Sequence, residues 1–191
     1  MTDFEIKYKE TCKVVLAEIE NAISSVDLNS LEVFVKDLNE AEKVFFAGVG
    51  RVMLSLEAFT KRLSHMGINA HCVGDITEPA ITDEDILVVA SGSGESIVPV
   101  VIAKKAKEIG CKKIVHIGSN PKGAMSEYAD YQVRIPVQTR LYLPDEIKSE
   151  QIMTSLFEQS LLILGDVVSM LIVKDKGIDF RELWKYHANL E

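Results

Sequence analysis

Cysteine is scarce in this 191-residue chain, and its three copies, Cys12, Cys72 and Cys111, stand far apart with no C-x-x-C pair. An odd, scattered set argues against a disulfide framework and suits a reducing compartment, with the thiols buried and inert. Positive charge is also short: 21 Lys and Arg face 29 Asp and Glu, for a net charge of −8. That balance gives no footprint for nucleic acid or an anionic membrane, and no basic helix stands out. Backbone dipoles do not enter a charge count, so a local anion site stays open. The N-terminal MTDFEIKYKETCKVV carries charges throughout and lacks a secretory apolar core. The apolar run Leu161 to Val173 contains Asp166 and is too short to span a bilayer. A cytoplasmic protein without a membrane partner is expected.

Other absences narrow the chemistry. No two of the four histidines sit at metal-ligand spacing and no cysteine completes a set, so no metal is expected. Gly48-Val49-Gly50 lacks the third glycine of a dinucleotide fingerprint, since positions 51 to 55 read Arg-Val-Met-Leu-Ser. No P-loop lysine is present either. Nicotinamide, flavin and nucleotide hydrolysis are all disfavoured, and no cofactor is expected.

What is present is ordinary globular composition, 47% apolar and 26% charged, enough for a substantial core and most simply one domain over residues 1–191. Helical spacing of Ile6, Val14, Val15, Ile19, Ala22 and Ile23 predicts a helix to about Ser25, and a second runs from Asn29 to Ala41. The period then changes. Strands are predicted at 43–48, 69–73, 85–90, 113–117 and 131–135, with helices from about Arg51 to His65, Ile97 to Ile109 and around 123–128. A polar loop, 136–149, precedes a long helix from about Glu150 to Lys174 and a short terminal one from Asp179 to about Tyr186. Continuously apolar strands alternating with helices indicate a doubly wound parallel sheet, an α/β fold that binds ligands beyond the carboxyl ends of its strands.

The turns at 48–50, 91–96 and 118–121 all fall at that edge. Ser91-Gly92-Ser93-Gly94-Glu95-Ser96 lies between the apolar run Ile86–Val89 and a helix start. A helix start offers unpaired N–H groups and the positive end of the dipole, the glycines allow close backbone approach, and three hydroxyls add donors. The loop reads as a phosphate cradle. An ordinary βα turn with an N-cap serine is the alternative. Glu158, one turn from Thr154, Ser155, Leu161 and Leu162, is the candidate general base; partial desolvation there would raise its pKa, whereas a surface glutamate would stay inert. Among the histidines, His65 ends a helix, His71 and His116 lie in strands, packed or solvent-facing, and His187 sits in a terminal tail.

Phe46-Ala47-Gly48-Val49-Gly50-Arg51, the loop 91–96, Ile117-Gly118-Ser119-Asn120-Pro121 with the following Ala129-Asp130, Ser155-Leu156-Phe157-Glu158-Gln159 and the closing His187-Ala188-Asn189-Leu190-Glu191 together resemble the sugar isomerase (SIS) domain, nearest its 6-phospho-3-hexuloisomerase branch. The resemblance covers nearly the whole chain. It implies a three-layer α/β/α sandwich with a five-stranded parallel sheet in flavodoxin-like order. Helices 1–41 and 150–187 would pack on the core or between subunits of a homodimer or homotetramer. It also implies isomerisation of a phosphorylated sugar without metal or cofactor. Ser91, Gly92, Ser93, Gly94, Glu95 and Ser96 would hold the phosphate, with Gly50, Arg51 and Asn120 contributing to the substrate site. Glu158 would shuttle a proton through an enediol. His187, from a neighbouring subunit, would assist ring opening or proton relay. Two stretches depart from the pattern: Val52-Met53 replaces a serine and a glycine, removing a hydroxyl, and Ile152-Met153-Thr154 replaces proline-x-glycine. An aldose phosphate such as arabinose 5-phosphate is an alternative substrate, and a non-catalytic phosphosugar sensor an alternative role.

Overall fold

The three central strands form from short apolar runs rich in β-branched and aromatic residues and buried on both faces, whereas the two edge strands are poorer in apolar residues and half-buried. In the computed structural model, which describes residues 1–190, the five are β1 (Val44–Ala47), β2 (Ala70–Cys72), β3 (Ile86–Ala90), β4 (Lys113–Gly118) and β5 (Tyr131–Arg134). All pairings are parallel, in the order β2-β1-β3-β4-β5. Val44 lies opposite both Ala70 and Ile86, so β1 and β3 end side by side.

Five helices flank the sheet: α1 (Asp3–Ser24), α2 (Leu28–Glu40), α3 (Gly50–His65), α4 (Ile97–Ile109) and α5 (Ser155–Lys176). Their ends follow local chemistry. Thr2 and Glu5 form a reciprocal capping box on α1, the Asp27 carboxylate accepts from Ser30 N–H at 2.8 Å to cap α2, and Gly110 closes α4 at φ 87°. Strand alternation splits the core. Phe46, Val88, Val115, Ile117 and Val133 face α1, α2, α3 and α5, whereas Phe45, Leu87, Val89 and Ile114 face α4. The helices at both ends of the chain therefore cover one face together. Helix α5 is long and apolar enough to cross a membrane, but more than half of its most apolar stretch is buried in the fold. At Gly165 it approaches α3 so closely that a Cβ would lie 2.8 Å from the Phe59 ring.

The boundaries agree closely with the sequence except in three segments after residue 120. Helix α5 begins at Ser155, not near Glu150. The preceding residues are claimed by Glu18 of α1, which accepts from Ser149 Oγ and Glu150 N–H at 2.7 Å each and from Gln151 Nε2 at 3.0 Å. Met153 then turns through φ 56°, which a helix cannot continue. The segments expected to be helical around 123–128 and 179–186 are single 3₁₀ turns, Ala124–Glu127 and Glu182–Tyr186. Glu191 of the closing motif lies outside the described residues.

Candidate functional site

The loop after β3, the candidate anion cradle, lies at the carboxyl edge of the sheet. Ser91 and Ser93 are buried, Ser96 is the N-cap of α4, and Gly94 takes φ 67°, a conformation that favours glycine. Ser96 does not use its hydroxyl to cap its own helix; Ser91 Oγ donates to it at 3.2 Å. Pro99 stands in the first turn, where its missing N–H costs nothing. Among the described residues, the N–H groups of Gly92, Ser93, Ser96, Ile97 and Val98 donate to no protein group. Clustered backbone donors at a helix start favour a phosphate oxygen. Glu95 points elsewhere: its exposed carboxylate accepts from Ala124 N–H at 3.1 Å, tying the loop to the next turn. Its own N–H donates to Ser93 Oγ at 3.3 Å.

Glu158 arrives from the opposite side. A Cβ at Gly92 would lie 3.3 Å from the Thr139 methyl and 3.4 Å from the Phe157 ring, so the loop touches the residue immediately before Glu158. The first turn of α5 turns that carboxylate toward the start of α3. There one oxygen pairs with Arg51 Nε, and the other accepts from Thr154 Oγ1 at 2.9 Å. Ser55 Oγ donates to the Glu158 carbonyl at 2.8 Å and fixes the helix turn. Only 10% of the Glu158 side chain is exposed, against 65% for Arg51. The apolar surroundings expected from sequence are thus only part of its environment, because a cation 107 residues away shares the site. A shallow cavity of about 190 Å³ opens between Arg51, Ser55 and Glu158. Gly50, at φ 59°, starts α3 with nothing within 4 Å of where a Cβ would be.

Two expected residues sit differently. Asn120 is buried and spends its side-chain amide inside the protein, donating to Ser93 C=O at 3.0 Å and accepting from Lys122 N–H at 3.0 Å. It braces the loop and does not present its side chain to a ligand. His187 follows the terminal 3₁₀ turn, its ring stacked 5.0 Å from that of His65 at the far end of α3. The length of α3 puts it roughly 20 Å from Arg51 at 1.5 Å per residue. One chain does not bring His187 to Glu158. The larger cavity there, about 650 Å³ between α3, α5 and the terminal segment, is mainly apolar and remote from the cradle.

Several residues near the site carried no sequence signal. Buried Glu146 accepts from Ser119 Oγ (3.1 Å), Thr139 N–H (3.1 Å), Thr139 Oγ1 (2.8 Å) and Leu143 N–H (2.9 Å). It thereby folds the 136–149 loop against Gly92. Thr154 and Ser55 position Glu158. His116, left open between packing and exposure, is buried, and burial pushes its pKa below the ordinary range despite its bond to the Ser91 carbonyl. Val52 and Met53 are half-buried and pack on the core.

Residues 37–163 match the SIS domain family. The 3-hexulose-6-phosphate isomerase of Bacillus subtilis is 32% identical over 186 residues, 97% of this chain and 100% of that protein. The enzyme of the same name from Mycobacterium gastri is 35% identical over 178 residues, 93% of this chain and 88% of its own. A solved protein of Methanococcus jannaschii, for which a molecular function of 3-hexulose-6-phosphate isomerase has been inferred, superposes with a TM-score of 0.81 at 32% identity. That superposition covers 95% of this chain and 99% of the other.

Proposed function

Because this chain belongs to the SIS domain family, we propose that it is a phosphosugar isomerase interconverting 3-hexulose 6-phosphate and fructose 6-phosphate. The observation that carries the reading is a loop of open backbone N–H groups packed at Gly92 against Phe157, the residue before the buried Glu158 carboxylate, in a chain that aligns over 97% of its length with an enzyme of that name. The remote phosphate seats in the 91–96 loop and fixes the sugar, so that binding energy is spent on orientation. The carboxylate of Glu158 takes the proton from C2 and electrons flow to the C3 carbonyl, giving an enediolate whose O3 then receives the proton of the C2 hydroxyl. Returning the proton to C3 as the C2 oxygen becomes the carbonyl completes the exchange. The exposed guanidinium of Arg51, beside the carboxylate, stabilises negative charge developing on the enediolate oxygens. His187, docked far from Glu158 in its own chain, would serve the site of a neighbouring subunit in a cytoplasmic homodimer or homotetramer.

The test is to supply 3-hexulose 6-phosphate and follow fructose 6-phosphate. Turnover by the wild type and a loss of roughly 10²-fold or more in Glu158→Gln are expected, the size of general acid–base catalysis. An inert wild type, or an undiminished Glu158→Gln, would overturn the proposal. A non-catalytic sensor is the second reading. It is favoured by Val52 and Met53, whose apolar side chains pack where similar enzymes carry a serine and a glycine. Saturable binding of fructose 6-phosphate without turnover would decide for it.

A further inference from the structure

Behind the cradle runs a buried polar chain that the proposed chemistry does not use. Gln132 on β5 directs its Nε2 at two atoms, Asn120 C=O at 3.1 Å and His116 Nδ1 at 3.2 Å. A carbonyl only accepts, so the group facing both is the NH₂, and Nδ1 of His116 is an acceptor. The proton of the neutral ring therefore sits on Nε2, which donates to Ser91 C=O at 2.9 Å. The lowered pKa of this buried imidazole agrees with a neutral ring.

That bond sets the direction of a peptide plane. In a trans peptide the N–H points opposite to the C=O of the same unit. The Ser91 carbonyl is held inward by His116 and by Gly94 N–H at 3.1 Å, so the Gly92 N–H points outward. The Gly92 carbonyl is held by Ser119 N–H at 2.9 Å and Asn120 N–H at 3.1 Å, so the Ser93 N–H points outward as well. Independent support comes from Gly118. A Cβ there would fall 2.3 Å from His116 Nε2 and 2.5 Å from Ser91 C=O, so the histidine–carbonyl contact exists only over a glycine.

We infer that His116, with its tautomer fixed by Gln132, is a positioning residue that turns the Gly92 amide toward the bound phosphate. The inference rests on reading the 91–96 loop as the phosphate site. His116→Leu keeps an apolar side chain of similar size and removes the donor. His116→Gln places an amide NH₂ near the position of the ring Nε2. Inorganic phosphate and fructose 6-phosphate serve as probes in titration calorimetry, with steady-state turnover alongside. His116→Leu should weaken phosphate roughly tenfold and raise KM by a similar factor, with kcat changed less than about threefold, as for loss of one oriented hydrogen bond. His116→Gln should recover wild-type affinity to within about threefold.

A histidine that only fills the core would lower thermal stability while leaving phosphate affinity alone; that result in His116→Leu would overturn the role. Should His116→Leu fail to fold, Gln132→Leu on the half-buried edge strand decides. Freeing Nδ1 should weaken phosphate by about threefold, and unchanged affinity there would sink the inference. A wild type that does not bind phosphate would instead remove the site reading itself, whereas failure of the brace leaves wild-type binding intact.

Discussion

Gly123→Ala is a small change with a large expected consequence. Gly123 has φ −70°, so alanine meets no backbone strain, and its effect comes from space alone. Its Cβ would lie 2.8 Å from Ser93 C=O and 3.0 Å from both Gly94 Cα and Gly94 C, all backbone atoms that cannot swing aside as a side chain can. The cradle must move by a few tenths of an ångström. The Asn120 bond to that carbonyl, now 3.0 Å, lengthens with it. Overpacking costs about 1–3 kcal/mol and a weakened buried hydrogen bond about 1, offset by about 0.4–1 from the stiffer unfolded chain. The net is about 1–3.6 kcal/mol, a fall in Tm of roughly 2–14 °C for a chain of this size. Thermal unfolding with and without inorganic phosphate reads both consequences, because a displaced cradle should also lose most of the stabilisation that phosphate confers. A Tm within about 1 °C of wild type, with the phosphate response intact, would refute the claim that two loops are stacked rigidly at this corner.

Two further outcomes follow from buried groups. Glu146→Leu removes the acceptor for two backbone N–H groups and two hydroxyls; it should cost on the order of 3 kcal/mol and make the 138–148 segment the first site of limited proteolysis. Buried His116 titrates below its ordinary value because burial disfavours the charged ring. The unfolded chain therefore binds the proton first, and the stability due to a neutral His116 is present above about pH 6.5 and is lost as pH falls. In His116→Gln, denaturant unfolding between about pH 5 and 7 should lose that part of the slope, and an identical slope would contradict the assignment.

Much of the fold is legible because the three central strands are buried on both faces and so read as largely apolar runs, while glycine closes α3 and α4. The failures lie where distant residues compete for backbone. The sequence reads α5 as starting early because nothing near residue 150 reveals that Glu18, about 130 positions earlier, holds 149–151. The site divides in the same way. The serine-glycine loop signals itself by local composition, and Glu158 by its place on a helix. Arg51 as the partner of that carboxylate, the bond of Glu146 to Ser119 and the tautomer of His116 all depend on contacts between segments separated in sequence. Asn120 shows the converse: a residue in a legible turn whose side chain the fold has already engaged.

The central claim is that main-chain donors at the end of β3 grip a sugar phosphate while Glu158 faces its reacting carbons. A crystal structure of the protein with fructose 6-phosphate tests it most directly. The phosphate oxygens should lie within roughly 3 Å of the Gly92, Ser93, Ile97 and Val98 nitrogens, with the Glu158 carboxylate beside C2 and C3. A phosphate seated elsewhere, or a sugar whose C2 and C3 lie beyond reach of Glu158, would contradict the account.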